Sequence, residues 1–229
     1  MNDAGPVLLF VAIACAVGFF IWLAYYLERI RREAMQELAA RLGYDFSAND
    51  MWGIPRRYDF LNIFSRGHSR RARNVIHGER GGARVLLFDY RYTTGHGKNR
   101  HTHSRTPVIM EMPGQNFPGF YLRREGFFDK VAAAVGFDDI DFESHEFSKR
   151  YYVKCADKRF AYDVVNPRQM EFLLGLSDVN VEMAGQALVF HLGRKLKPED
   201  LEWLHGAAME FVSNVPRFAI ERTGAGGTY

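Results

Sequence analysis

Arg73-Asn-Val-Ile-His-Gly-Glu79 and Ala83-Arg-Val-Leu-Leu-Phe-Asp-Tyr-Arg-Tyr92, with Arg80-Gly81-Gly82 between them, decide what kind of domain this chain builds. β-Branched and aromatic residues favour strands in both arms, and paired glycines supply the positive φ of a tight hairpin turn. An antiparallel hairpin is expected. Downstream, Pro107-Val-Ile-Met-Glu-Met112 and Gly119-Phe-Tyr-Leu-Arg123 continue the sheet, and Phe127 to Val135 reads as a short helix stopped by Gly136.

The second half repeats the style. Lys149 to Cys155 reads as a strand, Asn166-Pro167 caps a helix that Gly175 ends, Val179–Met183 and Ala187–His191 form a second hairpin, and Pro198 opens a last helix. Short strands with few helices, without regular βαβ units, predict an α+β fold with mainly antiparallel sheet, built either as one domain or as two small subdomains over 44–145 and 146–216. Residues 217–229 are expected to form a flexible tail.

Upstream of the hairpin lies Val7-Leu-Leu-Phe-Val-Ala-Ile-Ala-Cys-Ala-Val-Gly-Phe-Phe-Ile-Trp-Leu-Ala-Tyr-Tyr26, twenty residues without a charge. As a helix it measures about 30 Å, the thickness of a bilayer's hydrocarbon. Eleven of the twenty are Val, Leu, Ile or Phe, so insertion is favourable, and Trp22, Tyr25 and Tyr26 sit where amphipathic rings prefer the headgroup level. A transmembrane helix over 7–26 is expected, with the lipid bilayer as its partner. A cleaved signal peptide fits less well, because residues 1–6 lack Lys and Arg and the apolar run is long. A lipoprotein signal around Cys15 and a buried soluble helix fit less well again.

Flanking charge sets the orientation. Residues 1–6 form an extracytoplasmic tail without basic residues, whereas Arg29, Arg31, Arg32 and Arg41 follow the span. The expectation is a single-pass protein of the bacterial inner membrane with its C-terminal domain in the cytoplasm. Residues 27–43 continue as an amphipathic juxtamembrane helix, with Leu27, Ile30, Met35, Leu38, Ala39 and Leu42 as its stripe and Gly43 as its stop. That stripe needs a partner, and docking on the chain's own domain is favoured over pairing with a second copy.

The 229 residues carry 30 Lys plus Arg against 27 Asp plus Glu, a formal charge of +3 too small to imply nucleic acid, and none is expected as a partner. The 47% hydrophobic content excludes a disordered chain. Cys15 lies in the span and Cys155 in a strand, so neither is expected to be paired.

Two segments are candidates for chemistry. The run Thr93-Thr-Gly-His-Gly-Lys-Asn-Arg-His-Thr-His-Ser-Arg-Thr106 holds His96, His101 and His103 in a polar connection. His101 and His103 share a face if extended, and His96 on a Gly-rich arm could complete a three-nitrogen zinc site. No HExxH motif, cysteine pair or nearby carboxylate supports it, and a solvated hairpin loop is the plainer reading. Zinc is therefore the one candidate cofactor, and no catalytic residue is assigned: GxSxG and Walker A patterns are missing.

The second candidate is basic. Arg56, Arg57, Arg66, Arg70, Arg71 and Arg73 follow a membrane helix already flanked by Arg29, Arg31 and Arg32. Arg29, Arg31, Arg32, Arg70, Arg71 and Arg73 are the expected contacts for anionic lipid headgroups, each contributing on the order of 1 kcal/mol near such a surface; a solvated basic loop too far from the bilayer is the alternative.

Arg70-Arg-Ala-Arg-Asn-Val-Ile, Phe88-Asp-Tyr-Arg-Tyr-Thr-Thr-Gly-His-Gly-Lys with His101-Thr-His103, and Arg123-Arg-Glu-Gly-Phe-Phe-Asp-Lys130 resemble a group of uncharacterised bacterial proteins, a domain of unknown function behind an N-terminal membrane helix. The resemblance implies a bacterial source and transfers no functional residue. Two functions are expected in competition. One is a non-catalytic anchor domain that binds a protein or anionic lipid; the other is a membrane-tethered metal-dependent enzyme or sensor built on His96, His101 and His103.

Overall fold

A computed structural model describes residues 4–124, 140 and 142–224. The helix expected over Phe127–Val135 lies outside the described residues.

The span and the juxtamembrane stretch are one helix. α1 (Ala4–Leu42) has 39 residues, about 58 Å at about 1.5 Å per residue. No proline interrupts it after Pro6, and it ends where Gly43 turns to φ 70°. Tyr44 N donates to Ala39 O at 2.8 Å and Gly43 N to Ala40 O at 3.2 Å, the paired closure that a left-handed glycine permits. Met35, Leu38 and Ala39 are buried in the domain core. The amphipathic stripe thus docks within its own chain. By contrast, none of the apolar window of α1 is buried, and this helix is long and apolar enough to cross a membrane.

The domain is built on an open antiparallel sheet. Its strands are β1 (Asp45–Asn49), β2 (His68–Arg80), β3 (Ala83–Thr94), β4 (His101–Arg105), β5 (Pro107–Glu111), β6 (Phe117–Arg124), β7 (Tyr151–Cys155), β8 (Val179–Gly185) and β9 (Ala187–Leu192). They follow the order β1-β2-β3-β5-β9-β8-β6-β7, with β4 beside the far part of β3. The β2–β3 hairpin turns at Gly81 and Gly82, both at positive φ, with Arg80 opposite Ala83.

The two halves of the chain do not form separate subdomains. β5 pairs with β9, and β6 lies between β7 and β8, so strands from either side of residue 145 share one sheet. Local patterning reveals each strand but not its long-range neighbour, which is why a two-part division is legible in the sequence and the interlock is not.

Short helices cover both faces. α2 (Ile54–Arg57) and α3 (Asn62–Ser65) close one face over Leu86, Phe88, Tyr90 and Val189. The other face carries the end of α1 together with α4 (His145–Arg150), α5 (Lys158–Val164), α6 (Pro167–Leu174) and α7 (Leu201–Asn214), over Val85, Leu87, Val181 and Phe190. Asn166 caps α6 as expected, its side chain accepting from Gln169 N at 3.1 Å.

Residues 217–224 are folded, contrary to the expected tail. α8 (Arg217–Glu221) buries Ala219, and Asn116 N donates to Thr223 O at 2.7 Å. Ile220 packs on the core, Arg222 pairs with Asp163, and Thr223 Oγ1 donates to Gln115 at 2.9 Å; these are contacts with distant residues and have no periodic signature. Residues 225–229 lie outside the described set.

Candidate functional site

The residues that matter lie where α1 leaves the sheet. Along β3, Val85, Leu87, Asp89, Arg91 and Thr93 alternate onto one face. Val85 and Leu87 belong to the core under α1; from Asp89 onward the same face becomes polar.

Asp89 and Arg31 form the boundary. Arg31 Nε and Nη2 donate to the two Asp89 oxygens, each at 2.6 Å, and Nη1 donates to Leu196 O at 2.8 Å. Both side chains are about nine-tenths buried, at 10% and 11% exposure. Lys195 Nζ lies 3.2 Å from Asp89, and Asn74 Nδ2 donates to both Asp89 and Glu28 of α1. A bidentate guanidinium–carboxylate pair with its remaining valences satisfied is the geometry in which a buried ion pair persists. Arg31 therefore fixes α1 to the domain, and its buried pairing is not that of the headgroup contact expected from its place after the apolar run.

Beyond that pair opens a cleft of about 330 Å³, lined by Arg71, Arg73, Arg91, Arg100 and Lys195 against only two acids, Glu28 and Asp89. β2 reaches it through two register breaks, between His68 and Arg71 and between Arg73 and Ile76, with Ser69 and Asn74 at positive φ. Such bulges re-aim side chains, and here they leave Arg71 directly opposite Arg91 across the ladder. Like charges in that register repel. Among the described residues, the side chains of Arg71, Arg73, Arg91 and Arg100 form no hydrogen bond or ion pair, and all four are exposed. Asp89, the nearest acid, is already committed to Arg31 and Lys195. The cleft thus carries an uncompensated positive charge suited to an anion.

Its height is set by α1. Glu28 on the cleft wall is two residues past Tyr26, about 3 Å along the helix axis at about 1.5 Å per residue. The cleft opens beside the end of the apolar run.

The other expected contacts divide. Arg29 pairs with Glu33 at 2.8 Å on the exposed helix surface, and Arg32 is exposed. Arg70 donates to Phe64 O, holding α3 against the opposite face, and is drawn away from the cleft. Arg71 and Arg73 are in it. Arg57, from the same basic stretch, pairs with Glu111 at 2.6 Å. Arg91, Arg100 and Lys195 join the cleft without standing out in the sequence. The alternation of Asp89, Arg91 and Thr93 behind Leu87 is the available signal for the first, and the basic run Arg194-Lys-Leu-Lys197 for the last.

The three histidines are not assembled into a site. The segment forms a hairpin, with β4 pairing back on β3 and His103 opposite Tyr92. His103 stacks on Tyr92 with centroids 4.7 Å apart, and its Nε2 lies 2.8 Å from Thr94 Oγ1. His96 stacks instead on His68, at 5.0 Å. His101 is exposed opposite Thr94. Among the described residues no group of three or more His, Cys, Asp or Glu side chains is placed to hold a metal ion. Burial raises the Cys155 thiol pKa, which favours the inert protonated form.

Taken together, these features define an α+β domain carried on a helix able to cross a membrane, with a cationic cleft at the point of exit. No protein-family model matches the chain, and neither does any curated protein. Among solved structures, it is similar to the mycobacterial trehalose monomycolate transport factor A, TtfA, with a TM-score of 0.53 at 11% identity, over 81% of this chain and 96% of that one. The likeness is one of fold.

Proposed function

We propose that this protein is a single-pass protein of the bacterial inner membrane whose cytoplasmic domain binds anionic lipid at the bilayer surface, without catalysis, in support of membrane transport. One observation carries the reading: Arg71 faces Arg91 across the β2–β3 ladder, unneutralised, beside the last residues of the apolar helix. An arrangement that costs stability through like-charge repulsion is compensated when an anion enters. Anionic headgroups are the anions at highest local concentration there. The basic residues after the span favour the cytoplasmic side, and the fold shared with a protein described as a transport factor supports the transport role.

The test is the lipid that accompanies the full-length protein out of its membrane, identified by mass spectrometry after gentle detergent extraction. Anionic species should be enriched over the bulk membrane, and the Arg71→Gln/Arg91→Gln variant should return them to the bulk ratio. Bulk-ratio lipid on the unaltered protein would remove the lipid reading and leave the cleft to a protein ligand.

A further inference from the structure

The cleft has a neighbour on the other flank of α1. A shallower cavity of about 350 Å³ is lined by Leu27, Ile30, Leu196 and Pro198, together with Arg31 and the lysines of the 195–197 loop. Lys195 lines both cavities, while Asp89 lines the first and its partner Arg31 the second. The buried ion pair and Lys195 stand between an arginine wall and an apolar notch. Leu27 and Ile30, at 56% and 42% exposure, continue the apolar surface of the membrane helix directly into that notch.

We infer that the two cavities together hold one lipid molecule, with a phosphomonoester headgroup between Arg71 and Arg91 and an acyl chain laid over Leu27 and Ile30 toward the bilayer. This rests on the anionic-lipid reading above and narrows its ligand to one headgroup class. Charge decides the class. A phosphodiester brings one negative charge and two free oxygens, whereas a phosphomonoester brings about 1.5 to 2 charges and three acceptor oxygens near neutral pH. Two guanidinium forks held opposite one another, with Arg73 and Arg100 also uncommitted, match the monoester in both charge and acceptor number. Lys195 has Asp89 as its ion-pair partner and is about one-third exposed, so its ammonium can turn to a headgroup without breaking the Arg31–Asp89 pair. The notch explains why the ligand is a lipid: it is apolar, and it opens onto the helix surface that acyl chains would cover in a bilayer.

Calorimetric titration of the full-length protein in maltoside micelles with dioctanoyl phosphatidic acid, dioctanoyl phosphatidylglycerol and inorganic phosphate tests this. Phosphatidic acid should bind about tenfold tighter than either competitor, and Arg91→Gln should remove about tenfold of that affinity. Ile30→Asn should weaken both lipids. Arg91 and Ile30 are exposed, and an unchanged melting temperature for each variant confirms folding. Equal binding of the two lipids, both lost in Arg91→Gln, would overturn the monoester assignment and leave the broader lipid reading standing. Free phosphate binding as tightly as phosphatidic acid, or no effect of Ile30→Asn, would overturn the two-cavity lipid site. Absence of binding by all three would overturn this inference and the anionic-lipid reading together.

Discussion

The two ends of β3 share one strand and one face, yet they are stabilised by opposite means. At Val85 and Leu87 the face is buried in the core that also takes in Met35, Leu38 and Ala39 of α1, packing that improves with every methylene enclosed. Further along, at Arg91, α1 has departed and the face is left cationic and open. Between them stands Arg31–Asp89, which belongs to neither regime: charged, nearly enclosed, and joined to the backbone at Leu196. The contrast marks where the packed core stops and the proposed binding surface starts. An exposed patch of four arginines without ion-pair partners among the described residues does nothing for stability, and its presence beside a well-packed core has to be explained by what it contacts.

The boundary is where this division is most easily upset. Asp89→Ala strands a buried guanidinium and should cost about 3–5 kcal/mol in chemical denaturation of the full-length protein. Replacing both partners, as Arg31→Met with Asp89→Leu, should cost far less or even stabilise, since an apolar pair of similar volume avoids the desolvation of two ions. A double variant as unstable as Asp89→Ala would mean that the pair holds the helix in register and is more than a bridge between regimes.

A titratable group enclosed in the domain gives the next largest effect. His191 on β9 is buried, and burial lowers its pKa from 6.5 to about 4. The unfolded chain therefore takes up a proton below pH 6.5 that the folded protein refuses until about pH 4. The neutral imidazole's contribution is complete above pH 6.5 and is lost as pH falls across that window, by about 3 kcal/mol in all. Melting temperature followed against pH should show this decline, and His191→Gln should flatten it; an unchanged slope would exclude His191 as its source. The smallest effect belongs to the open end. Arg91→Gln should shift stability by no more than about 0.5 kcal/mol and, if anything, upward, because it relieves the repulsion with Arg71. A loss larger than that would show that Arg91 is part of the packing.

Much of the fold is legible in the sequence because its signals are local. The stripe of Met35, Leu38 and Ala39, the Gly81-Gly82 turn, the Gly43 stop and the Asn166-Pro167 cap each need only a few consecutive residues to be read. The site is half legible. Arg71 and Arg73 stand out as members of a basic run, but that Arg71 faces Arg91 depends on two register breaks in β2 beside left-handed Ser69 and Asn74; Asn tolerates that conformation, yet inside a strand pattern one Asn and one Ser do not fix where a bulge falls. Arg31 misleads for the same reason in reverse. Its neighbours in sequence are a membrane helix and other arginines, whereas its partner is 58 residues away. In the histidine segment the plainer reading, a hairpin, is the one that pairing of β4 with β3 shows, and that pairing gives each ring a different neighbour.

An unbroken α1 also bears on the membrane itself. If α1 crosses a bilayer as proposed, a rod that passes from lipid into a protein core without a joint acts as a lever. Helices of this kind tilt to match the local hydrocarbon thickness, by about 20° on average. Arg31 lies five residues beyond Tyr26, so such a tilt displaces it sideways by about 2–3 Å, at about 1.5 Å of rise per residue. The whole sheet must follow, because the ion pair allows no slippage. On the proposed lipid-binding reading, bilayer thickness would thereby set the angle at which the arginine wall meets the headgroup plane, so that a thicker or thinner membrane would present the same protein with a different docking pose.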